Sequence, residues 1–125
     1  MTSRGVDIEA VLVAHLGAAL GCRVATEVPN PRPERLVKVT RTGGARVERV
    51  VDTSTVVVEV WPPPTARSPA EMALDAQQAL WALEGHEVGG VFVVAVECRN
   101  PVCMPDPDTD AARYVMTAEV TVHAI

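Results

Sequence analysis

The segment from Arg113 to His123 restricts the possible fold more than any other part of the chain, because apolar residues occupy every second position. Side chains of a β-strand point to opposite faces in turn, so this period of two predicts a strand with one buried and one polar face. A sheet made of such strands needs cover on one face only. The residues predicted to face the core are Tyr114, Met116, Ala118, Val120 and Val122.

Two segments show the three- and four-residue spacing of an amphipathic helix. Residues 7–20 form the first, with Asp7 as the candidate N-cap and Gly21 as the stop. The second begins at residues 68–71 (SPAE), where serine and glutamate predict a capping box and proline suits the first helical position; Gly85 closes it. The predicted apolar stripes are Ile8, Val11, Leu12, Leu16, Ala19 and Leu20 in the first helix and Met72, Ala76, Ala79, Leu80 and Leu83 in the second.

A glycine pair divides the central part of the chain. Residues 36–42 and 46–52 flank Gly43-Gly44 and predict a β-hairpin with a tight glycine turn. The following segment, residues 54–61 (STVVVEVW), is rich in β-branched residues and ends at a triple proline, which indicates a strand. The remaining predicted strands cover residues 23–28 and 91–99.

These elements predict a single α+β domain over residues 1–125: an antiparallel or mixed sheet with two helices packed on one face. A length of 125 residues fits one domain, and the content of 48% hydrophobic and 22% charged residues excludes a disordered chain. Only 3% of the residues are aromatic, which argues against a base-stacking nucleic-acid platform. No apolar run approaches the roughly 20 residues that span a bilayer, so we expect no membrane partner.

Residue types that perform catalysis are present without a catalytic arrangement. None of the histidines has a carboxylate or nucleophile at a spacing that builds a triad. Glu59, Glu97 and Glu119 fall on predicted strands and could share the polar face, where a carboxylate pair could do acid–base work. Sheet faces commonly carry glutamate to stay hydrated, so we predict that the chain is not an enzyme. The histidines are His15, His86 and His123.

The cysteines do not predict a zinc site or a disulfide framework. Cys98 and Cys103 have a spacing compatible with zinc, but no second ligand pair follows. Cys22 and Cys98 are more simply interpreted as small buried hydrophobes. The pair Gly43-Gly44 does not open a helix and fits no nucleotide-binding fingerprint. We therefore expect neither a metal ion nor a cofactor.

An acidic segment near the C-terminus, residues 106–110 (DPDTD), matches the first half of a calcium-binding loop. Ala111 and Thr117 stand where that loop needs its glycine and its bidentate glutamate, so the match is incomplete. Pro105 and Pro107 instead predict that this segment is an extended acidic loop, which faces solvent or a partner. It belongs to a longer loop predicted over residues 100–112.

Charge is unevenly distributed along the chain. Residues 1–67 contain nine Lys/Arg and seven Asp/Glu, whereas residues 68–125 contain two and nine. Such asymmetry is typical of nucleic-acid binding or of a protein that meets identical neighbours. The calculated pI of 5.1, and a basic stretch without interleaved aromatic residues, argue against nucleic-acid binding. The basic stretch comprises Arg32, Arg35, Lys38, Arg41, Arg46 and Arg49, opposed only by Glu34 and Glu48.

Several motifs occur in an order that resembles the tail terminator proteins of long-tailed (siphovirus-type) actinobacterial phages. They are VPNPRP at 28–33, VKVTRTGG at 37–44, a valine-rich strand that ends at Trp61, PDPDT at 105–109 and ARYVMTAEVTV at 112–122, after an N-terminal helix that contains DIEAVLVAHL. The resemblance covers nearly the whole chain, and its specificity comes from the order and spacing of short motifs. The triple proline at 62–64 and the cysteines depart from the family pattern.

The resemblance implies a virion structural protein with an α+β fold. Tail terminators form a homohexameric ring at the head-proximal end of the tail tube, stop polymerisation of the tail-tube protein and provide the surface to which the filled head attaches. The implied partners are further copies of the chain, the tail-tube protein and the head-completion or connector protein. DNA passes through the lumen without sequence-specific binding. The implied location is the tail or neck of the virion, with assembly in the host cytoplasm.

A closed ring uses two different surface patches that meet between neighbours, and the uneven charge suits such a contact. We expect basic residues of one copy to face the acidic loop of the next, or this loop to contact a neighbouring neck protein. The candidates are Arg32, Arg35, Arg41 and Arg46 on the basic side and Asp106, Asp108 and Asp110 on the acidic side. We also expect a lumen that is acidic or neutral, because a basic lining would bind DNA phosphates.

Two other interpretations of the sequence remain open. The chain could be another head-to-tail joining protein of the neck, such as a head-closure or tail-completion ring. It could instead be a small enzyme or ligand-binding domain that shares the α+β layout, which a deep apolar cleft with a perturbed carboxylate would favour.

Overall fold

The computed structural model describes residues 5–124, in which a curled sheet of seven strands carries two helices on one face. This arrangement confirms the predicted α+β class; residues 1–4 and 125 of the predicted domain lie outside the described part. The helices are α1 (Ile8–Leu20) and α2 (Pro69–Trp81). The strands are β1 (Arg23–Ala25), β2 (Leu36–Arg46), β3 (Val51–Trp61), β4 (Glu87–Val88), β5 (Val91–Cys98), β6 (Val102–Cys103) and β7 (Tyr114–Ala124).

The sheet is mixed and has the long strands at its centre. Its order is β1-β2-β3-β7-β5-β4, and β6 pairs with β7 off this path. Strand β1 runs parallel to β2, and every other pairing is antiparallel. The predicted strand at 23–28 is therefore shorter than expected, because only three of its residues pair with β2. We call the VPNPRP segment that follows, residues 28–33, the proline-rich arm.

The core lies between the helices and one face of the sheet. Val56, Val58 and Val60 of β3 have no exposed surface, and the predicted apolar positions of β7 from Met116 to Val122 are equally buried, which confirms the alternation. Helix α1 packs on β1 and β2, whereas α2 packs on β5 and β7. We call the opposite, helix-free side of the sheet the outer face. Its residues include Lys38, Thr55, Val57, Glu59, Trp61, Val115, Thr117, Glu119 and Glu97.

The first helix follows the sequence prediction at both ends. The Asp7 carboxylate accepts a hydrogen bond from the amide of Ala10 at 3.2 Å, and Gly21 ends the helix in the left-handed conformation with φ 63°. Leu12 and Leu16 are fully buried, whereas Ala19 of the predicted stripe is exposed.

The predicted start of α2 is right in position and wrong in detail. Pro69 occupies the first turn, but the Ser68 side chain makes no capping hydrogen bond. The amide of Glu71 instead donates to the Ser68 backbone carbonyl at 3.0 Å, so the backbone satisfies the donor that a capping box would have satisfied. The helix ends at Trp81, before the predicted stop, and Gly85 donates its amide to Val93 of β5 at 2.8 Å.

The predicted glycine turn is wrong. Strand β2 continues through Gly43 and Gly44 to Arg46, with a bulge between Arg41 and Gly43, and the chain turns at residues 47–50. At Gly44 φ is +124°, and a Cβ atom there would lie 2.1 Å from the carbonyl oxygen of Thr53. The glycine at this position allows β2 to approach β3 closely. From the sequence alone, this use of glycine cannot be distinguished from a tight turn.

The loop predicted at 100–112 is present and largely exposed, but it is not extended throughout, because part of it is hydrogen-bonded. It contains β6 and then a closed turn, residues 106–111, that we call the acidic turn. The amide of Asp110 donates to the Asp106 carbonyl at 2.8 Å, and the amide of Asp106 donates to the Ala111 carbonyl at 2.9 Å. A proline after the first residue suits such a turn, since its fixed φ matches the second turn position.

Candidate interaction surfaces

Trp61 is only 2% exposed, although it lies at the end of β3 on the outer face, where no helix covers it. Two loops cover it instead. Its indole Nε1 donates to an Asp106 carboxylate oxygen at 3.1 Å, and the guanidinium carbons of Arg32 and Arg113 lie 5.9 and 6.0 Å from the ring centroid. These distances allow cation–π attraction from both arginines. The ring therefore joins the proline-rich arm and the acidic turn to the sheet.

Glu59, two residues earlier on β3, extends this arrangement. Arg113 donates to one Glu59 oxygen at 3.0 Å, and the Lys38 ammonium lies 3.6 Å from the other. Arg113 also donates from Nε to the carbonyl of Met104 at 2.9 Å, which fixes the loop before the acidic turn. Two cations neutralise Glu59, so this carboxylate holds structure together. We call the set Arg32, Lys38, Glu59, Trp61, Asp106 and Arg113 the Trp61 cluster.

The acidic turn is ordered by the carboxylate of its first residue. The backbone amide of Asp108 donates to Asp106 at 2.9 Å, which is the main reason why the pKa of Asp106 lies below its ordinary value; the hydrogen bond from Trp61 acts in the same direction. Asp108 and Asp110 are exposed, and their carboxylates have no hydrogen bond or ion pair within residues 5–124. The turn therefore presents two negative charges at fixed positions.

The structure places the four basic candidates differently. Arg32 lies over the Trp61 ring, and the same indole donates to Asp106, so two residues predicted to meet between copies contact one tryptophan within a chain. Arg41 lies 3.6 Å from the buried carboxylate of Asp52. Arg46 donates to the carbonyl of Arg49 within the exposed hairpin, and Arg35 lies at a groove between the two helices.

Sequence reasoning missed the central role of Trp61. A buried indole needs a hydrogen-bond acceptor, and the aspartate that begins a proline-containing turn was an available signal for one. Nothing in the local sequence, however, relates Trp61 to a residue 45 positions later.

A pair of like charges marks the other part of the outer face. Glu97 of β5 and Glu119 of β7 are direct neighbours across the strands, and both are exposed. Neither carboxylate has a hydrogen bond or ion pair within the described residues. Like charges directly opposite each other destabilise a sheet by a few tenths of a kcal/mol to about 1 kcal/mol. The predicted sharing of this face by Glu59, Glu97 and Glu119 is confirmed, although Glu59 lies in the Trp61 cluster.

A groove of about 590 Å³ runs between the end of α1, the start of α2 and the connection from β3. Its floor is apolar, and Glu71 and Asp75 of α2 lie along it together with Arg35. We call it the α1–α2 groove. Its lining comprises Ala19, Leu20, Arg35, Pro63, Ala66, Ser68, Glu71, Met72, Asp75, Gln78, Ala79 and Ala82.

Histidine and cysteine have structural surroundings. The ring Nε2 of His15 lies 2.8 Å from the Ala79 carbonyl and links the two helices, whereas His86 and His123 are exposed. Burial raises the pKa of Cys98 to about 11 and also raises the pKa of Cys22, so both thiols are protonated near neutral pH.

Neither a metal cluster nor a membrane helix is found in the part of the chain that the structure describes. No three His, Cys, Asp or Glu residues between positions 5 and 124 are grouped so that they could hold a metal ion. Neither described helix has the length and hydropathy that crossing a bilayer requires.

No protein-family model and no curated protein matches this chain. Among solved structures, it is similar to a chain of the virion of a native gene transfer agent (GTA) particle. The two share 16% sequence identity and a TM-score of 0.67, and the match covers 94% of this chain and 95% of the other. At this identity the similarity concerns the fold.

Proposed function

We propose that this chain is a structural protein of a phage-like virion. In this role it forms a six-copy ring at the head-proximal end of the tail tube, stops tube polymerisation and provides the surface for head attachment. The observation that carries the proposal is the similarity to a chain of a gene transfer agent virion over nearly the full length of both chains. It agrees with the order of motifs that resembles tail terminators.

Two features favour a structural role over catalysis. The carboxylate best placed for chemistry, Glu59, is neutralised by Arg113 and Lys38 in the Trp61 cluster. The lowered pKa of Asp106 has a structural cause, the hydrogen bonds that close its own turn. Both carboxylates hold loops on the sheet, and ordered loops on a rigid scaffold are the usual sites of protein contact.

The acidic turn is the proposed contact with a basic surface, on the next copy, on the tail-tube protein or on the head connector. Arg32, Arg41 and Asp106 have partners within their own chain, so the acidic part of the contact falls to Asp108 and Asp110. Reversing both charges (Asp108→Lys with Asp110→Lys) should block attachment of heads or closure of the ring. Glu27→Lys with Glu87→Lys, at exposed sites outside the turn, is the matched control, and equal yields of virions from both variants would contradict the contact.

The outer face is the proposed lining of the lumen. Six copies at −5 each carry a formal charge of −30, and the unpaired Glu97 and Glu119 would repel passing DNA. A basic lining would instead bind phosphates and release counterions. Glu97→Lys with Glu119→Lys should therefore slow DNA ejection in a salt-dependent manner while tail length stays normal. Unchanged ejection at low salt would contradict this lining.

Tail length after deletion of the reading frame tests the main proposal. Negative-stain electron microscopy of lysates should show overlong tubes without heads, and expression of the intact chain from a plasmid should restore normal virions. Tails of normal length beside filled heads would instead assign the chain to head-to-tail joining. Intact infectious virions would contradict any role in the neck.

A further inference from the structure

The hairpin formed by β2 and β3 ends in a basic, apolar tip. Val47 is 66% exposed, the largest value for a large apolar side chain within residues 5–124. Arg46 and Arg49 flank it, with Glu48 between them. The turn is held by hydrogen bonds from the Val47 amide to the Val51 carbonyl at 2.9 Å and from the Val51 amide to the Glu48 carbonyl at 3.3 Å. We call residues 46–49 the hairpin tip.

The α1–α2 groove has the opposite character. Helix α2 contains acidic residues and no basic one, and Glu71 and Asp75 lie at the groove without a hydrogen bond or ion pair to their carboxylates in the described chain. Half-buried Leu20 and the 8% of Met72 that stays exposed line the same groove and give it an apolar part. With Arg35 the groove carries a net charge of −1, and the hairpin tip carries +1.

These two surfaces lie at opposite ends of α1. The amide of Val6, just before α1, donates to Asp52 at the base of the hairpin at 3.3 Å, and Glu9 accepts from the amide of Arg41 at 2.8 Å. The groove begins at the other end of the helix, at Ala19 and Leu20. Thirteen residues at 1.5 Å each separate the ends by about 20 Å, so the hairpin tip does not meet its own groove.

We propose that the hairpin tip of one copy docks into the α1–α2 groove of a second copy. Val47 packs against Leu20 and Met72, Arg46 and Arg49 face Glu71 and Asp75, and Arg35 faces Glu48. Two different patches at opposite ends of one molecule produce a head-to-tail contact, which closes into a ring when the rotation between copies allows it. In the proposed ring, this is the contact between neighbouring copies. Only the statement that the second copy is the ring neighbour rests on the proposed function.

Charge exchange between copies tests the contact. One variant reverses the groove (Glu71→Lys with Asp75→Lys), and the other reverses the tip (Arg46→Glu with Arg49→Glu). Each variant alone places like charges together and should associate at least tenfold more weakly than the original chain. An equal mixture should recover association, because each tip then finds a groove of opposite charge in alternating copies. Sedimentation velocity measures association, and Glu27→Lys with Glu87→Lys, which changes the total charge as the groove variant does, is the matched control for that variant.

Cross-linking tests the same contact when association is transient. In a Cys103→Ser background, a Val47→Cys copy and an Asp75→Cys copy should form a disulfide-linked dimer under mild oxidation when mixed, and much less of it when either is oxidised alone. Thermal unfolding of each variant verifies that the fold is intact.

The outcomes separate this contact from the function of the ring. Lost association of the charge variants without recovery in the mixture, or a mixture of cysteine variants that forms no specific dimer, would overturn the contact. Recovery and specific cross-linking support it whatever the deletion does to tails. Overlong tails after deletion, together with failed cross-linking, would keep the terminator role and reject this contact.

Discussion

The two faces of the sheet are built on different principles. The face under the helices is continuous and apolar, with Val56, Val58 and Val60 fully buried. The outer face is covered at one end by loops that polar and cation–π contacts hold to Trp61. Elsewhere on this face, two neighbouring glutamates, Glu97 and Glu119, have no ion pair within the described residues. The first face is complete within one chain, because hydrophobic burial is satisfied there. The outer face has its charges satisfied only in part, which suits a surface that meets other molecules.

This difference predicts that mutations on the two faces have effects of different size. Truncation of a core side chain destabilises the chain in proportion to the buried apolar area that it removes. Contacts on the outer face are few and directional, so each mutation there removes less. The predictions below compare the two regions, beginning with the largest effect.

Leu12→Ala should lower the free energy of unfolding by about 2–5 kcal/mol. Leu12 has no exposed surface and packs between α1 and the sheet, so its truncation removes buried apolar area and leaves a cavity. Urea denaturation monitored by circular dichroism measures the loss. Leu74→Ala, at a side chain that is 49% exposed on α2, is the control and should change stability by less than about 0.5 kcal/mol. Equal losses in the two variants would contradict the assignment of the core.

Gly44→Ala should destabilise the chain by about 1–3 kcal/mol, since φ is +124° and the added Cβ meets the Thr53 carbonyl. Gly43→Ala is a close control: its Cβ would have no heavy atom within 4 Å, and its φ is outside the glycine-favouring range. Thermal unfolding of the two variants distinguishes the two explanations. A loss of stability in Gly44→Ala alone indicates a close strand approach at Gly44, whereas a tight turn would need both glycines. Similar losses at both positions would favour the turn.

Trp61→Phe should cost about 1–2 kcal/mol, less than the core truncation. The substitution keeps an aromatic ring near both arginines and removes the hydrogen bond to the Asp106 carboxylate. Trp81→Phe, at a tryptophan that is 42% exposed, should have little effect. Hydrogen exchange should report faster exchange in the acidic turn of Trp61→Phe alone. Unchanged protection there would show that Trp61 does not hold the turn.

The smallest expected effect depends on pH. The pKa of Asp106 is lowered in the folded chain, so its ionised form stabilises the fold. This contribution is complete above the ordinary pKa of 3.8 and is lost as the pH falls through the lower folded value. The stability difference between the original chain and Asp106→Asn should therefore be constant near neutral pH and shrink below about pH 4. A difference that stays constant down to pH 2 would contradict an ionised Asp106 in the turn.

Local patterns were sufficient to predict the α+β class, the helix positions and the buried face of β7. Asp7 and Gly21 act at the ends of α1 through contacts within a few residues, so the sequence contains the whole signal. The prediction of a turn at Gly43-Gly44 was wrong because the conformation there depends on a contact with another strand. Glycine permits both a turn and a close strand approach, and the choice depends on Thr53, a residue of the neighbouring strand.

The candidate contacts show the same division. The uneven charge, the acidic segment and the basic stretch were visible in the sequence. The sequence did not show which of these charged side chains already contact other residues of the same chain. Asp106 is held by Trp61, and Arg41 is paired with Asp52; these residues are distant in sequence. An intrachain partner does not test a contact between copies, so all seven contact residues stay predictions: Arg32, Arg35, Arg41, Arg46, Asp106, Asp108 and Asp110.

The sequence by itself determined the positions of the two helices, where α1 begins and ends, and which face of β7 is buried, because these depend on periodicity and on neighbours along the chain. Only the tertiary structure decided that two loops meet on one tryptophan, that Glu97 opposes Glu119, and that a basic tip and an acidic groove lie at opposite ends of α1. Those facts depend on strand register and helix packing, which bring together residues tens of positions apart, and no local pattern encodes such distances.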